Sequence, residues 1–319
     1  MQSYVIRRIL LLIPTIFIVS IIVFFLVRFV PGSAVDVIEA SLSQGGTINI
    51  DRAAIAHALG LDVPAYIQYW RWMGNIVLHG DFGNSIIQGR PVFVMVLERM
   101  PVTFELGVLA IVISTAIGLP LGTYSAIRQD SWGDYVGRTI AILLIAVPSF
   151  WIATLIMIYP SVWWGWSPPV ELITFTKDPL GNIGMFLIPS AILGTSTAGG
   201  LMRMQRTMML EVMRQDYIRT AWSKGLTENT VIMRHALKNA FIPVITILGG
   251  GVGMLIGGAV IIENIFCLPG MGQLALQALN QRDYPLVSAI TLITAVFVMV
   301  CNLLVDMTYT WLDPRIRYQ

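Results

Sequence analysis

The sequence predicts an all-α, multi-pass membrane protein with six transmembrane helices. Two observations come from composition: 56% of the 319 residues are hydrophobic and only 12% are charged, whereas soluble domains carry about 25% charged residues. The third observation is the distribution of the charges. Six stretches of at least 19 residues contain no Asp, Glu, Lys or Arg, and each is long enough for a helix to cross a hydrocarbon core of about 30 Å.

These uncharged stretches are the predicted spans: Ile9–Val27, Gly107–Ile127, Thr139–Val170, Leu180–Met202, Asn239–Ile262 and Tyr284–Val305. The third is too long for one crossing, and its Trp-rich end before Pro168-Pro169 indicates an interfacial aromatic belt and an exit turn. The fourth is the weakest because glycines and a proline interrupt it, although buried membrane helices tolerate both. On the fifth, Gly249, Gly253 and Gly257 recur every four residues, which predicts close helix packing, with a sliding gate as the alternative.

The basic residues orient the predicted helices. Six spans place both termini on one side, together with residues 203–238, and that side holds thirteen of the twenty Lys and Arg residues. Six lie on the other side, and Arg28 lies at the end of the first span. By the positive-inside rule, both termini are cytoplasmic. The first apolar run is longer than that of a signal peptide and lacks a small-residue cleavage site, so this helix is expected to be retained.

The chain therefore divides into three parts. Residues 1–30 hold the first transmembrane helix, residues 31–99 form an extracytoplasmic segment, and residues 100–319 form a five-helix core with a cytoplasmic helix–turn–helix at about 203–238. Apolar residues at a spacing of three to four predict an amphipathic helix in the outer segment: Tyr66, Tyr69, Trp70, Met73 and Val77. This helix is expected to pack or to anchor at the bilayer surface, with a docking platform for an external partner as the alternative.

The sequence lacks the motifs of several chemistries. The motif G-x-x-x-x-G-K-[ST] does not occur, so the chain has no P-loop for ATP. The zinc-binding motif H-E-x-x-H does not occur either. The three histidines are scattered, and Cys267 and Cys301 are too far apart for a local metal or redox pair. Ser196 lies in a run that only approximates a nucleophile elbow, and packing explains it better. The net charge of +2 implies no nucleic-acid partner.

The carboxylates of the apolar regions lie near the ends of the predicted spans. Glu105, Glu263 and Asp306 are expected at depths where their side chains reach the headgroups. Proton- or sodium-coupled carriers usually place ionisable groups near the midplane, where the coupling ion binds. This distribution weakens the hypothesis of a secondary carrier without excluding it.

Residues 203–238 carry a helical pattern in spite of their charge. Over Met202–Trp222 the apolar residues fall on one side of a helix, and Gly225 ends that helix as a C′ glycine. Thr227 is a suitable N-cap for a second helix, which is expected to reach about Ala240. A basic loop that only fixes the topology is the alternative explanation.

The same region resembles a known sequence pattern. The cytoplasmic coupling loop of ABC-importer permeases is similar to two runs here, D-Y-I-R-T-A-W-S-K-G-L-T (216–227) and R-H-A-L-K-N-A-F-I-P (234–243). Further motifs extend the resemblance along nearly the whole chain, to the first permease of the pair in the dipeptide/oligopeptide/nickel importer family. They are Arg7-Arg8, Pro31-Gly32, Gly80–Ser85, Pro101–Leu106, Pro148–Trp151, Phe266–Gly272, Arg282–Pro285 and Asp313–Arg315.

The resemblance implies that this loop seats in a cleft of a separate ATPase subunit. The positions that match the loop pattern are Asp216, Arg219, Thr220, Ala221, Gly225, Leu226, His235 and Asn239. The sequence departs from the pattern at two places. Trp222-Ser223 stands where the family usually has Arg-Ala, which alters the surface offered to an ATPase. Ser33 stands where an acidic residue commonly follows the glycine, so no role is assigned to it.

The outer connection between the fifth and sixth spans is a second candidate site. Its Leu-Pro-Gly-Met-Gly turn and its charged pair lie on the face where a solute enters. We expect a contribution to the external gate or to a docking surface, with a simple connection as the alternative. The candidate residues are Pro269, Gly270, Arg282 and Asp283.

The implied function is that of the membrane channel half of an ATP-driven importer for peptides or related small solutes in the bacterial cytoplasmic membrane. The implied partners are a homologous second permease, two ATP-binding-cassette ATPases, an extracytoplasmic substrate-binding protein and the lipid bilayer. The chain is expected to be a non-catalytic subunit without a cofactor, since the ATPases bind ATP and Mg²⁺. The solute stays open among dipeptides, oligopeptides, nickel chelates and glutathione-like compounds. A self-sufficient secondary carrier or channel, or an intramembrane hydrolase, is the alternative.

Overall fold

The computed structural model of the chain describes residues 2–28, 35, 52, 53, 57, 62–169 and 171–312. Its long helices are α1 (Gln2–Arg28), α2 (Ala65–His79), α3 (Val92–Ile127), α4 (Trp132–Ala146), α5 (Ser149–Trp164), α6 (Pro179–Met213), α7 (Asp216–Ser223), α8 (Leu237–Ile265), α9 (Met271–Asn280) and α10 (Tyr284–Leu312). A single turn, Glu228–Thr230, and a π-helical turn, Val231–Ala236, lead into α8. The motifs at Pro31–Ser33 and Asp313–Arg315 lie outside the described residues.

An all-helical membrane architecture is confirmed, and the number of spans depends on how bent helices are counted. In the described part of the chain, four helices are long and apolar enough to cross a membrane: α1, α3, α6 and α10. The count reaches six if each of two bent pairs forms one span. One pair is α4 with α5, and the other joins Glu228–Phe241 to Pro243–Gly253 with a bend of 43°. Proline explains the second bend, because its ring displaces the preceding helical turn.

The third predicted span is two helices and not one continuous rod. Helix α4 ends at Ala146, and α5 leaves at 88° to it. Val147 has an extended backbone, as a residue before proline prefers, and Pro148 is the N-cap of α5. The exit turn after the Trp-rich end is confirmed by Gly165, which takes the left-handed conformation with φ +64°.

The chain forms two compact units. One comprises residues 103–268 and 301–319, and the other comprises residues 2–102 and 269–300.

Helix α6 is the most buried span, since 61% of its apolar window is inside the structure, against 17% to 33% for the other three single-helix spans. It begins at Asp178, whose side chain accepts a hydrogen bond from the backbone N–H of Gly181, with a proline in the first turn.

Glycines bring the backbone of α6 against α3. A Cβ atom placed on Gly194 would lie 2.6 Å from the carbonyl oxygen of Ala110. A Cβ on Gly122 of α3 would lie 2.6 Å from the carbonyl oxygen of Met202. These separations are shorter than any ordinary van der Waals contact. Small residues therefore permit helix packing here, as in other membrane proteins, and Gly194, one of the glycines that weaken the fourth stretch as a sequence signal, is a contact point.

The glycine row on α8 packs less evenly than its spacing predicts. A Cβ on Gly249 would collide with the side chain of Val305, which confirms close approach at that position. A Cβ on Gly257 would meet nothing within 4 Å, whereas one on the adjacent Gly258 would lie 2.9 Å from Leu193. The contact face thus shifts by one residue along the helix and does not follow the four-residue repeat to Gly257.

The contact with headgroups that was predicted for one carboxylate is wrong. Glu263 is fully buried and does not reach toward headgroups. Its Oε1 accepts a 2.6 Å hydrogen bond from the Thr103 hydroxyl on α3, and the backbone N–H of Leu268 donates to its carbonyl oxygen at 2.8 Å. The Thr103 hydroxyl supplies a donor of the kind that a buried carboxylate needs, because desolvation is costly. Glu263 therefore joins α3 to the end of α8.

The outer amphipathic helix is confirmed as α2. Its Tyr69 is buried and packs edge-on against Phe24 of α1, with ring centroids 5.3 Å apart. The Tyr69 hydroxyl and Ser20 Oγ lie 2.9 Å apart in a hydrogen bond. Tyr66 and Trp70 of the same predicted face stay exposed. Tyr69 thus anchors α2 to α1, and Trp70 adds a partly exposed ring contact with Phe17 of α1, with centroids 6.1 Å apart.

Two adjacent glycines of α6 give a direct test of this packing. Gly199 faces the carbonyl oxygen of Ala141 on α4, at 2.6 Å from an added Cβ, whereas a Cβ on Gly200 would meet nothing within 4 Å. We expect Gly199→Ala to destabilise the chain by about 1–3 kcal/mol through overpacking. Gly200→Ala is expected to be neutral or stabilising by up to about 1 kcal/mol. Thermal unfolding of the detergent-solubilised chain measures both, and equal unfolding temperatures would contradict this packing.

Candidate functional site

The cytoplasmic helix–turn–helix begins with a break that the sequence pattern does not reveal. Helix α6 continues past the predicted span as far as Met213, and the chain then turns at Arg214 and Gln215. Gln215 has an extended backbone (φ −73°, ψ 149°) and is the N-cap of α7. The prediction of one helix over Met202–Trp222 is therefore wrong, because two helices meet at this corner.

Two residues of α7 hold it against the rest of the chain. Ile218 and Ala221, which are three positions apart and so share a face, are both buried. They belong to an apolar cluster whose other buried members come from α3, α6, the π-helical turn and α8: Ala126, Met209, Val231, Ile232, Ala236 and Ala240. Helix α7 is thus seated on the ends of several helices.

The remaining residues of α7 are exposed. Asp216 Oδ1 and Arg219 Nη1 form an ion pair of 3.5 Å, with side chains that are 96% and 75% exposed. The Thr220 hydroxyl donates to the Asp216 carbonyl oxygen at 3.0 Å. Asp216 lies in the first turn, where a carboxylate interacts favourably with the helix dipole. The structure places the polar loop-pattern residues of α7 outward, and it places Ala221 inward.

Gly225 has the predicted role at the end of α7. Its φ of +76° is left-handed, and its backbone N–H donates to the Trp222 carbonyl oxygen at 2.9 Å. Leu226 is half-buried beside the apolar cluster around Ile218. Thr227 lies at the predicted N-cap position, but its hydroxyl pairs with the Thr230 hydroxyl at 2.9 Å and not with a backbone N–H.

A hydrogen bond ties the second half of the motif to the first. Asn239 on α8 donates from Nδ2 to the Tyr217 hydroxyl on α7 at 2.8 Å, and also to the His235 carbonyl oxygen at 3.3 Å. His235 is half-buried in the π-helical turn. The structure therefore brings Asn239 and His235 beside α7, although more than fifteen residues separate them from its centre in the sequence.

A buried ionic cluster next to this site was not predicted. Asp134, at the start of α4, is fully buried and accepts two hydrogen bonds of 2.8 Å from the Arg206 guanidinium on α6. The Ser125 hydroxyl and the Asp130 backbone N–H also donate to it. Arg138 lies 3.4 Å from it. Such bidentate pairs are among the strongest hydrogen bonds, and this one joins α4 to the part of α6 that leads to α7.

In the connection between α8 and α10, Asp283 is a buried structural residue. Its Oδ2 accepts from the Ser85 hydroxyl and its Oδ1 from the backbone N–H of Ile86 at 3.3 Å, so it ties the loop after α2 to the start of α10. Arg282 is half-exposed with φ +55°. Gly270 is the buried N-cap of α9, and Pro269 precedes it. The connection predicted as a turn thus contains a ten-residue helix.

Comparisons with known proteins agree with this architecture. Residues 118–318 match the family of binding-protein-dependent transport system inner membrane components, and residues 1–107 match the N-terminal part of such membrane components. The chain belongs to this family. The permease is 40% identical to a peptide transport system permease protein of Brucella abortus (strain 2308), over 318 residues that cover 100% of both chains.

Two further relatives extend the match. The permease is 38% identical to the oligopeptide transport system permease protein AppB of Bacillus subtilis, with 100% of both chains covered. It is 34% identical to the glutathione transport system permease protein GsiC of Salmonella paratyphi A, again over 100% of both chains. These matches confirm the predicted class, a permease subunit of an ABC importer in the inner membrane.

A solved structure shares the fold of the permease. A chain of the MetNI methionine ABC transporter in an inward-facing conformation aligns with a TM-score of 0.57 and 13% sequence identity. The alignment covers 69% of the permease and 97% of that chain. At this identity the likeness shows the fold.

Replacing an aspartate by alanine is expected to lower stability strongly in the buried ionic cluster and hardly at all in the exposed ion pair. Asp134→Ala leaves the Arg206 guanidinium, whose side chain is only 17% exposed, without its carboxylate, and is expected to cost about 3–5 kcal/mol. Asp216→Ala breaks an exposed pair and is the matched control, with an unfolding temperature close to that of the parent. Thermal unfolding in detergent checks both, and a stable Asp134→Ala protein would contradict the structural role.

Alanine variants of Asp283 and Arg282 test a folding role and a docking role separately. Asp283→Ala leaves buried donors of Ser85 and Ile86 without an acceptor, at an expected cost of about 1–3 kcal/mol. Arg282→Ala retains those hydrogen bonds, so it is expected to keep the parent's unfolding temperature. If Arg282 contributes to docking, this variant alone lowers stimulation of ATP hydrolysis by the loaded binding protein. Unchanged stimulation by the well-folded Arg282→Ala complex would exclude that role.

Proposed function

We propose that this permease forms one half of the translocation pathway for peptides or related small solutes, and that α7 transmits ATPase movements to it. A homologous second permease completes the pathway, two ATPases bind on the side of α7, and a substrate-binding protein delivers the solute on the other side. The relatives named for peptide, oligopeptide and glutathione transport support this solute class, since they match the whole chain.

The observation that carries the proposal is the two-sided character of α7. Its apolar face is fixed in the cluster around Ile218 and Ala221, while its other six residues are exposed. An ATPase cleft that receives this helix can hold the exposed face, and the buried face passes any displacement to the spans. Energetic coupling requires such a contiguous, rigid connection.

Two paths lead from α7 into the membrane core. Ile218 and Ala221 share their apolar cluster with Met209 of α6, and one turn earlier on α6 Arg206 is bound to Asp134 of α4. The second path is the Asn239–Tyr217 hydrogen bond to α8. A shift of α7 therefore acts on α4, α6 and α8 together.

The arrangement of charges supports the orientation in this proposal. Both termini and α7 face the cytoplasm, where positively charged residues accumulate. The permease itself is a non-catalytic subunit and binds no cofactor, while ATP and Mg²⁺ bind to the ATPases. The sequence has no P-loop that would assign nucleotide binding to this chain.

Gly225 gives the sharpest test of this function. Gly225→Val places a β-branched residue at φ +76°, which is expected to strain the turn by about 1–3 kcal/mol. This is small compared with the energy of membrane insertion but similar to the free energies that couple two sites. We expect normal membrane insertion, with uptake and substrate-stimulated ATP hydrolysis both lowered severalfold. Subunit stoichiometry, ATP hydrolysis and uptake are measured on the same purified complex.

Two control variants separate coupling from general strain. Gly165→Val imposes the same left-handed strain (φ +64°) at the end of α5, and at both positions an added Cβ would meet nothing within 4 Å. It should leave coupling intact. Gly225→Asn is expected to restore most of the coupling, since asparagine tolerates the left-handed region. Normal stoichiometry, hydrolysis and uptake in Gly225→Val would mean that residues 203–238 only fix the topology.

A further inference from the structure

A cavity of about 350 Å³ lies where α1, α2, the loop after α2 and the start of α10 meet. Its lining includes the aromatic side chains of Phe24, Trp72 and Phe82 and two arginines, Arg28 and Arg71. Asp81 is the one carboxylate among the described lining residues, and its Oδ1 already accepts from the Gly83 backbone N–H at 2.8 Å. The cavity is therefore aromatic with a net positive lining.

Arg28 lies in this cavity without an acidic partner among the described residues. Its Nε and Nη2 donate to Gln68 Oε1 at 3.2 and 2.9 Å, and its Nη1 donates to the Phe24 carbonyl oxygen at 3.2 Å. The guanidinium also stacks over the Phe24 ring at 3.5 Å. These three bonds use three of its five N–H donors. The group is held in place by neutral acceptors, and two donors remain for an anion.

Trp72 supplies a second donor in the same cavity. Its indole Nε1 is buried and has no hydrogen-bond partner in the structure. A buried donor left unsatisfied is unfavourable, and tryptophan can only donate from this atom. This nitrogen lies behind the surface of the cavity that Trp72 lines, and an acceptor that enters the cavity would satisfy it once the indole ring turns toward that acceptor. Arg28 and Trp72 thus point to one ligand chemistry, an anionic oxygen.

The surface next to the cavity indicates where that anion comes from. On α1, large apolar side chains remain exposed over the turns that lead to Arg28, including Ile18, Ile22 and Leu26. Arg28 is the last residue of this span, at the depth where a bilayer changes from acyl chains to phosphates. A lipid whose chains lie along α1 has its phosphate beside the cavity. Exposed Tyr66 and Trp70 on α2 suit the same interfacial depth.

We propose that this cavity binds the phosphate-bearing headgroup of a membrane phospholipid, with Arg28 and the Trp72 indole N–H as its donors and Arg71 at its rim. The bound lipid fastens α2 to the end of α1. No part of this proposal depends on the solute or on the ATPases. A free phosphate ion or the carboxylate of a peptide offers the same anionic oxygens, so the experiment distinguishes these sources.

The test uses Trp72→Phe, which removes the donor and keeps an aromatic ring. Because Trp72 Nε1 bonds to no protein atom, this change deletes no protein hydrogen bond. The matched control is Trp70→Phe on the same helix, where Trp70 is exposed and also packs on Tyr69, with centroids 5.3 Å apart. Native mass spectrometry of the purified complex counts retained phospholipid during titration with phosphatidylglycerol and phosphatidylethanolamine. Inorganic phosphate and the dipeptide Ala-Ala serve as competing probes.

We expect Trp72→Phe to weaken lipid retention about tenfold, as the loss of one hydrogen bond to a charged group implies. Trp70→Phe should retain lipid like the parent, and Arg28→Gln should lose at least as much as Trp72→Phe. Equal retention in parent and Trp72→Phe would overturn the proposal. Displacement of the lipid by millimolar phosphate or by Ala-Ala would overturn the lipid assignment in favour of that solute, whereas no displacement by either supports it.

Discussion

The packing of the unit that contains α7 depends on how closely the backbones of α3 and α4 approach that of α6. At Gly194, Gly199 and Gly122, carbonyl oxygens of one helix occupy the space where a side chain would begin on its neighbour. In a membrane no hydrophobic driving force brings helices together, because the lipid chains are as apolar as the side chains. Helix association therefore rests on such van der Waals contact and on hydrogen bonds. The close packing sets the position of α6 relative to α3 and α4, and the contacts further along α6 depend on that position.

The ionic cluster around Asp134 depends on this helix packing. Only when α4 lies against α6 can Asp134 accept both N–H groups of Arg206. A carboxylate taken out of water is costly, and three kinds of donor around this one compensate for the loss: a guanidinium, a hydroxyl and a backbone N–H. The apolar cluster around Ile218 begins one turn further along α6. Glycine packing, an ion pair and an apolar seat therefore follow one another along a single helix.

The sequence patterns predicted those features that depend on local chemistry. Uncharged length identified the four long apolar helices, the three-to-four spacing identified α2, and Gly225 was correctly predicted at a left-handed helix end. The bend at Pro148 and the corner at Gln215 were missed because apolar periodicity continues through both. Asp134 was missed because its partners are distant in sequence, and only tertiary packing shows that it is buried. The assignment of the loop-pattern residues to an ATPase contact remains a prediction.

The division of labour within α7 has a consequence for how such transporters diversify. The fold buries only two of its eight residues, while the other six are exposed. Tyr217 is tied to α8 by its hydrogen bond with Asn239, but the other five exposed residues lie outside the apolar cluster around Ile218, so substitutions among them carry little folding cost. Trp222 and Ser223, where this sequence departs from the coupling-loop pattern that it resembles, both lie on that exposed face. In the proposed ATPase contact, a few surface changes would therefore alter the pairing between the two proteins while the membrane core stays the same.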